Sequence, residues 1–250
     1  FAALRWGMPW ASNELAFAMP ARATEIISAQ TLELLDKAIL EESALPVEEQ
    51  QRIRQHFETT LLPLQHENFT YRLHFRRMSD IPNAFALPAG DIVITDRLIE
   101  LADSQEEIDS ILLHEIGHVV HRHGLQQVLH SSFLTIAIIM ISGDVTATSN
   151  IAVALPVFLL ESRYSREHET EADHYAFEHM MEAGIDPLHF STIMEKISSA
   201  PENEPEDNAS DSDEQDDAEM LKYLSTHPST SERVFQAEKY SREFRQRLSE

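Results

Sequence analysis

Four histidines fall within ten positions in the stretch 114–124, which reads HEIGHVVHRHG. Wound as an α-helix with His114 at zero, His118 lies at about 40° and His121 at about −20°. His123 falls at about 180°, off that face. His114 and His118, at i and i+4, place two imidazoles one above the other at the spacing a single zinc ion takes. Glu115, one residue on, can reach a water held by that ion. The chain has no cysteine, so any metal must sit on His, Asp or Glu.

A catalytic zinc takes three protein ligands and keeps one position open. The metzincin continuation is excluded, because it needs Gly at 121 and His at 124 and the chain has His121 and Gly124. The segment SREHETEADHYAFEHMMEAG (165–184) offers Glu167, Glu169, Glu171 and Glu178. With Glu169 at zero, Asp173, Ala176 and Met180 lie within about 40°, on a small and apolar face, while the other three glutamates fall at about 160–200°. Periodicity therefore points Glu169 inward as third ligand. Asp173, one turn on, is placed to accept the free N–H of a ligating histidine. His121 competes for the third position. Ligands at i, i+4 and i+7 would crowd one helix, so it is assigned to the core or to a place behind the ligands.

The elements that must position these groups are readable in outline. Residues 24–42 and 46–62 have helical periodicity, the second with Pro46 at its start. YRLHFRR (71–77) alternates as a strand does, and NAFALPAGDIVIT (83–95) reads as two strands around a turn at Pro88–Asp91. Ser104 and Glu107 form a capping box that opens a long helix through the histidines. Another helix spans 165–183, ended by Gly184 and Pro187, and a last one spans 229–248. The fold class is α+β: a predominantly helical body with a small sheet beside the histidine helix. We divide the chain into a helical region (1–65), a catalytic core (66–200), an acidic insertion (201–219) and a closing helix (220–250).

Composition bounds the partners. The net charge of −24 over 250 residues excludes a nucleic-acid partner, which needs a basic footprint. Residues 201–219 hold ten Asp/Glu and no Lys/Arg. They read as a solvated linker, with steering of basic peptides as the alternative. FLTIAIIMI (133–141) and IAVALPVFLL (151–160) are each about half of a membrane span, so core burial is expected and interfacial contact is the alternative. Trp6 and Trp10 in FAALRWGMPW suit either a membrane interface or an arm packed on the domain.

HEIGH, followed by R-H-G and then E-T-E-A-D, resembles the HExxH…ExxxD gluzincins of metallopeptidase family forty-eight. That family includes CAAX prenyl proteases, HtpX-type heat-shock membrane proteases, Oma-type mitochondrial proteases and periplasmic quality-control proteases. The resemblance runs through NAFALPAGDIVITDRLIE (83–100), SRYSREHETEADHYA (162–176), AGIDP (183–187) and STHPSTSER (225–233). It implies a zincin-type fold, one zinc ion per chain on His114, His118 and Glu169, and Glu115 as general base in hydrolysis of protein or peptide substrates. PAG stands where the family often has PGG.

The resemblance also places STHPSTSER near the site, with Arg233 behind His227. His227 is then the candidate catalytic donor to the oxyanion; the alternatives are a fourth zinc ligand that must swing away and a helix-entry residue without a catalytic part. Asn83, Ala84 and Phe85 resemble the edge strand on which gluzincins lay substrate. Membrane association through a segment preceding Phe1, with the catalytic domain in the periplasm of a bacterial envelope, is a further expectation from the resemblance. A latent enzyme or a non-proteolytic chaperone on the same fold is the alternative.

Overall fold

The computed structural model describes residues 8–130, 164–200, 223–228 and 230–249. The apolar segments 133–141 and 151–160, the acidic stretch 201–219 and Trp6 lie outside the described residues. Two helices open the described chain, α1 (Met8–Ala18) and α2 (Ala21–Ala38). α2 stops four residues before its apolar periodicity does. The Ile39 N–H bonds back to the Leu35 carbonyl, and Glu41–Glu42 turns outward as a short strand, β1. α3 (Val47–His56) starts after Pro46 and runs through a π-helical turn, Phe57–Leu61, where the sequence suggests one continuous helix.

The sheet has the order β1-β2-β4-β3, with β2 (Arg72–Arg77), β3 (Ala84–Ala86) and β4 (Asp91–Thr95). β2 and β4 are parallel, with Arg72 opposite Asp91, and β3 runs antiparallel to β4 with Phe85 opposite Val93. Every residue of β4 is buried, as its unbroken apolar run requires of a central strand. The β3–β4 turn closes on Gly90 at φ +95, where a Cβ would lie 2.7 Å from the Thr70 carbonyl oxygen. Only glycine tolerates both conditions. A short helix, α4 (Asp96–Leu101), leads out of β4.

α5 (Gln105–Val120) carries the histidines. The Ser104 hydroxyl accepts from the Glu107 N–H, while the Glu107 carboxylate accepts from the Asp103 N–H, one residue further out than the usual box. All positions from Glu107 to Val119 are buried, so α5 is a central helix covered on every side rather than a surface helix with one apolar stripe. β3 and β4 cover one flank. α6 (Arg166–Glu182) and α7 (Leu188–Ser199) cover the others. α6 ends at Gly184, φ +75, as the glycine signal predicts. α8 (Tyr223–Thr226) and α9 (Ser231–Leu248) close the described chain, α9 capped by the Thr230 hydroxyl. α1, α4, α7, α8 and β1 were not anticipated from periodicity.

Gly117 fixes how close α5 and α6 come. A Cβ there would lie 2.9 Å from the Ala172 Cα and 3.0 Å from its carbonyl oxygen. The small pair Gly117/Ala172 lets the two backbones approach until His118 on one helix faces Glu169 on the other.

Candidate metal centre

His114, His118, Glu169 and His227 are all buried, and each offers a ligand atom within 4.8 Å of the other three. His114 Nε2 lies 3.0 Å from His118 Nε2 and 3.2 Å from His227 Nδ1. Glu169 Oε1 lies 3.1 Å from His227 Nδ1 and 3.4 Å from His118 Nε2. A tetrahedral ion at about 2.0–2.1 Å from each donor spaces the donors by about 3.3 Å. The separations match that figure, and the donor set of three imidazoles and a carboxylate suits zinc. Burial lowers the basicity of His114 and His118, most strongly for His118, and so favours the neutral form that ligates.

The surroundings hold each donor in place. Asp173 Oδ1 sits 3.0 Å from His114 Nδ1, on the ring side away from the cluster. Arg233, at the start of α9, grips Asp173 with Nε and Nη2, both at 2.7 Å, and reaches Glu169 Oε2 with Nη1 at 2.7 Å. Burial opposes ionisation of Glu169, but His227, His118 and Arg233 outweigh it and hold the carboxyl well below its usual range. His114, His118 and Glu169 are the residues that periodicity selects, and His227 is the one that the resemblance places beside them, while Glu171 and Glu178 face water.

Glu115 lies beside the cluster, fully buried, with no side-chain hydrogen bond to either carboxylate oxygen among the described residues and the Ala86 backbone as its hydrogen-bonding neighbour. Burial pushes its pKa up to about 7, against the opposing pull of His227. Its nearest ionic neighbour is His227 Nε2, 3.6 Å from Oε1. His227 follows α8 directly and presents Nδ1 to the cluster and Nε2 to Glu115. Its pKa is raised: burial opposes the charge, and Glu169 and Glu115 outweigh it.

A narrow cleft lined by Asn83, Phe85, Ala86, Leu87, Tyr164, Thr226 and His227 leads past β3 to the centre. Ala84 is fully buried behind it. The Asn83 N–H donates to the Thr95 hydroxyl and its carbonyl accepts from the Thr95 N–H, which anchors the start of the edge strand.

Three residues were missed or misplaced by the sequence reading. Tyr164 stacks on His118 at 4.0 Å between centroids, and Tyr223 stacks on His227 at 4.4 Å. Tyr223 and His227, at i and i+4 in KYLSTHP, carried a signal that spacing alone could have given. The helical projection of His123 needs correction. α5 ends at Val120, and Arg122 takes φ +56, which turns His123 back so that its Nδ1 lies 3.0 Å from His118 Nδ1. Arg122 is held in that conformation by the Ala16 and Met19 carbonyls of the α1–α2 corner. His121, the competing ligand, lies outside the four-residue cluster and stacks on His123 instead.

Residues 48–241 match the sequence profile described as peptidase family M48. The chain is 25% identical over 170 residues to the mitochondrial metalloendopeptidase OMA1 of Schizosaccharomyces pombe, covering 68% of this chain and 46% of that protein. It is 30% identical over 119 residues to the metalloprotease LoiP of Escherichia coli, 46% of this chain and 47% of that one. The β-barrel assembly-enhancing protease of Escherichia coli is 27% identical over 132 residues, 48% of this chain and 26% of its own. The chain thus spans about half or less of the length of these curated relatives. With the profile covering most of its length and the paired histidines, inward glutamate and buried Glu115 in one centre, the chain belongs to peptidase family M48.

Proposed function

We propose that this protein is a zinc-dependent endopeptidase, with His114, His118 and Glu169 as zinc ligands and Glu115 as the general base. The observation that carries this reading is Glu115: a fully buried carboxylate with no side-chain hydrogen-bond partner among the described residues, placed against a cluster of four metal donors. Zinc bound there supplies Lewis acidity, polarising a scissile carbonyl and lowering the pKa of water to about 7. Glu115 takes the proton of the attacking water on a carboxylate oxygen and delivers it to the leaving amine. Asp173 fixes the tautomer of His114, and Arg233 keeps both Asp173 and Glu169 charged and oriented.

His227 we assign as a fourth donor that closes the site, because its Nδ1 stands among the ligand atoms. Substrate then enters by displacing it. Once turned outward, the same side chain serves as donor to a developing oxyanion. An extended peptide adds to the free edge of β3, with Asn83, Ala84 and Phe85 as the receiving strand and Tyr164 across the cleft.

By likeness to the β-barrel assembly-enhancing protease and OMA1, we place the activity in membrane or cell-envelope protein quality control. The finer reading is an envelope enzyme with its catalytic domain in the periplasm, attached through a segment ahead of Phe1. No helix among the described residues is long and apolar enough to cross a membrane.

The test is metal content by mass spectrometry beside cleavage of casein, for wild type, Glu115→Gln and Glu169→Gln. We expect zinc retained and cleavage lost in Glu115→Gln, and both lost in Glu169→Gln. Retained turnover in Glu115→Gln would sink the assignment of the base.

A further inference from the structure

Behind the metal centre lies a second cluster that hydrolysis does not use. His121, His123 and Glu171 each offer a ligand atom, and these atoms lie within 4.8 Å of one another. They come from two elements: the end of α5, where Arg122 reverses the chain, and the outer face of α6. The His121 and His123 rings stack at 5.4 Å with 13° between their planes. His123 Nε2 is 2.9 Å from Glu171 Oε2. The His168 ring stacks on His123 at 4.2 Å, and its Nδ1 is buried with no hydrogen-bond partner among the described residues.

The two ring nitrogens of His123 face different neighbours. Its Nδ1 faces His118 Nδ1 at 3.0 Å, and when His118 Nε2 ligates an ion at the first centre, its Nδ1 must carry the proton and donate it. His123 Nδ1 therefore accepts, and Nε2 is the atom left for a proton shared with Glu171 or for an ion. A cation replacing that proton leaves the contact to His118 as it was, so both centres can be filled together. The Glu171 side chain is 54% exposed and His121 half-buried, which gives an ion a path from solvent.

We propose that His121, His123 and Glu171 form a second, weaker binding site for a divalent transition-metal ion of the zinc class, separate from the peptidase centre. Two imidazole nitrogens and one carboxylate select zinc, copper or nickel over magnesium or calcium. The site ties the end of α5 to α6 two residues from Glu169. It is weaker than the first because it has three donors, one of them largely in water.

The experiment is equilibrium dialysis of the full chain against rising zinc, with bound metal counted by mass spectrometry and thermal melting followed in parallel. The chains compared are wild type, His121→Ala and Glu171→Gln. Wild type is expected to bind a second equivalent at higher zinc, with a further rise in melting temperature. Both variants should keep the first equivalent, which reports that they fold, and lose the second with its melting shift. Saturation of wild type at one ion overturns the proposal. So does a second ion bound undiminished by both variants, which would put it elsewhere, for example on the acidic 201–219 stretch. Casein cleavage is not the readout, so failure of the peptidase reading leaves this outcome separately legible.

Discussion

Arg233 is the residue through which the metal centre is braced. One guanidinium donates to both oxygens of Asp173 and forms an ion pair with Glu169 at 2.7 Å, all buried. Removing it leaves two carboxylates in the interior without their cation, a change that costs about 3–5 kcal/mol for a buried pair. Arg233→Gln should therefore destabilise the metal-free protein by that order in chemical denaturation. Loss of a group supporting the ligands should also weaken zinc by about 10–100-fold in competition with a chromophoric chelator. Arg233→Lys should not restore affinity, because an ammonium cannot span three oxygens as the planar fork does. Full rescue by lysine would mean that charge alone, not geometry, is what Arg233 supplies. A second residue-scale prediction concerns Tyr223, whose ring lies flat on His227 and whose hydroxyl is buried without a hydrogen-bond partner among the described residues. Tyr223→Phe should be close to neutral. Tyr223→Ala should release His227 and change the casein cleavage rate, upward if His227 closes the site. Equal rates in Phe and Ala variants would remove the stack from the account of closure.

At the scale of elements, the centre exists because α5 and α6 nearly touch. Gly117 sits inside a helix, where alanine is ordinarily favoured by about 1 kcal/mol. Here the added methyl would meet Ala172 backbone atoms at 2.9 and 3.0 Å, and backbone cannot turn aside as a flexible side chain does. Gly117→Ala should cost about 1–3 kcal/mol of stability. It should also lower zinc content, since the separation of the helices is the separation of His118 from Glu169. A Gly117→Ala protein that melts higher and holds zinc normally would show that the helices have slack to part.

Periodicity found this pair of helices and the inward face of α6, because 3.6-residue repeats report which face is buried, but it read one apolar side on α5 where every side is covered. It erred where the repeat stops. The projection that sent His123 outward assumed that α5 continues past Val120. What ends the helix is a non-glycine residue in the left-handed region, held there by carbonyls more than a hundred positions earlier in the chain. No local rule contains that contact. Tyr164 and α7 escaped notice for a similar reason, since their roles come from what they pack against and not from their own spacing.

Across the whole molecule, the sheet is joined by a charge cluster at the paired starts of β2 and β4. Asp91, nearly buried at the start of β4, accepts from Arg72 Nε and Nη2 at 2.7 and 2.8 Å and pairs with His74 Nε2 at 2.8 Å. Burial alone would raise its pKa, but the bonds from His74 and Arg72 outweigh it and hold the carboxyl below its ordinary 3.8. A depressed folded-state pKa gives stability that is fully present above the unfolded value and lost as pH falls through the folded one. The contribution of Asp91 should thus be constant from neutrality down to about pH 5 and fade below pH 4. Asp91→Asn keeps the shape and removes the charge. We expect the variant to be less stable by about 1–3 kcal/mol near pH 7, the range for hydrogen bonds to a charged group. The gap between the two proteins should close progressively below pH 4, measured by denaturant unfolding at fixed ionic strength. The general carboxylate protonation of a chain with net charge −24 acts on both proteins alike and cancels in the difference. A gap that stays constant down to pH 3 would mean that the variant loses packing rather than the ionised form of Asp91, and the charge cluster would then have no part in joining β2 to β4.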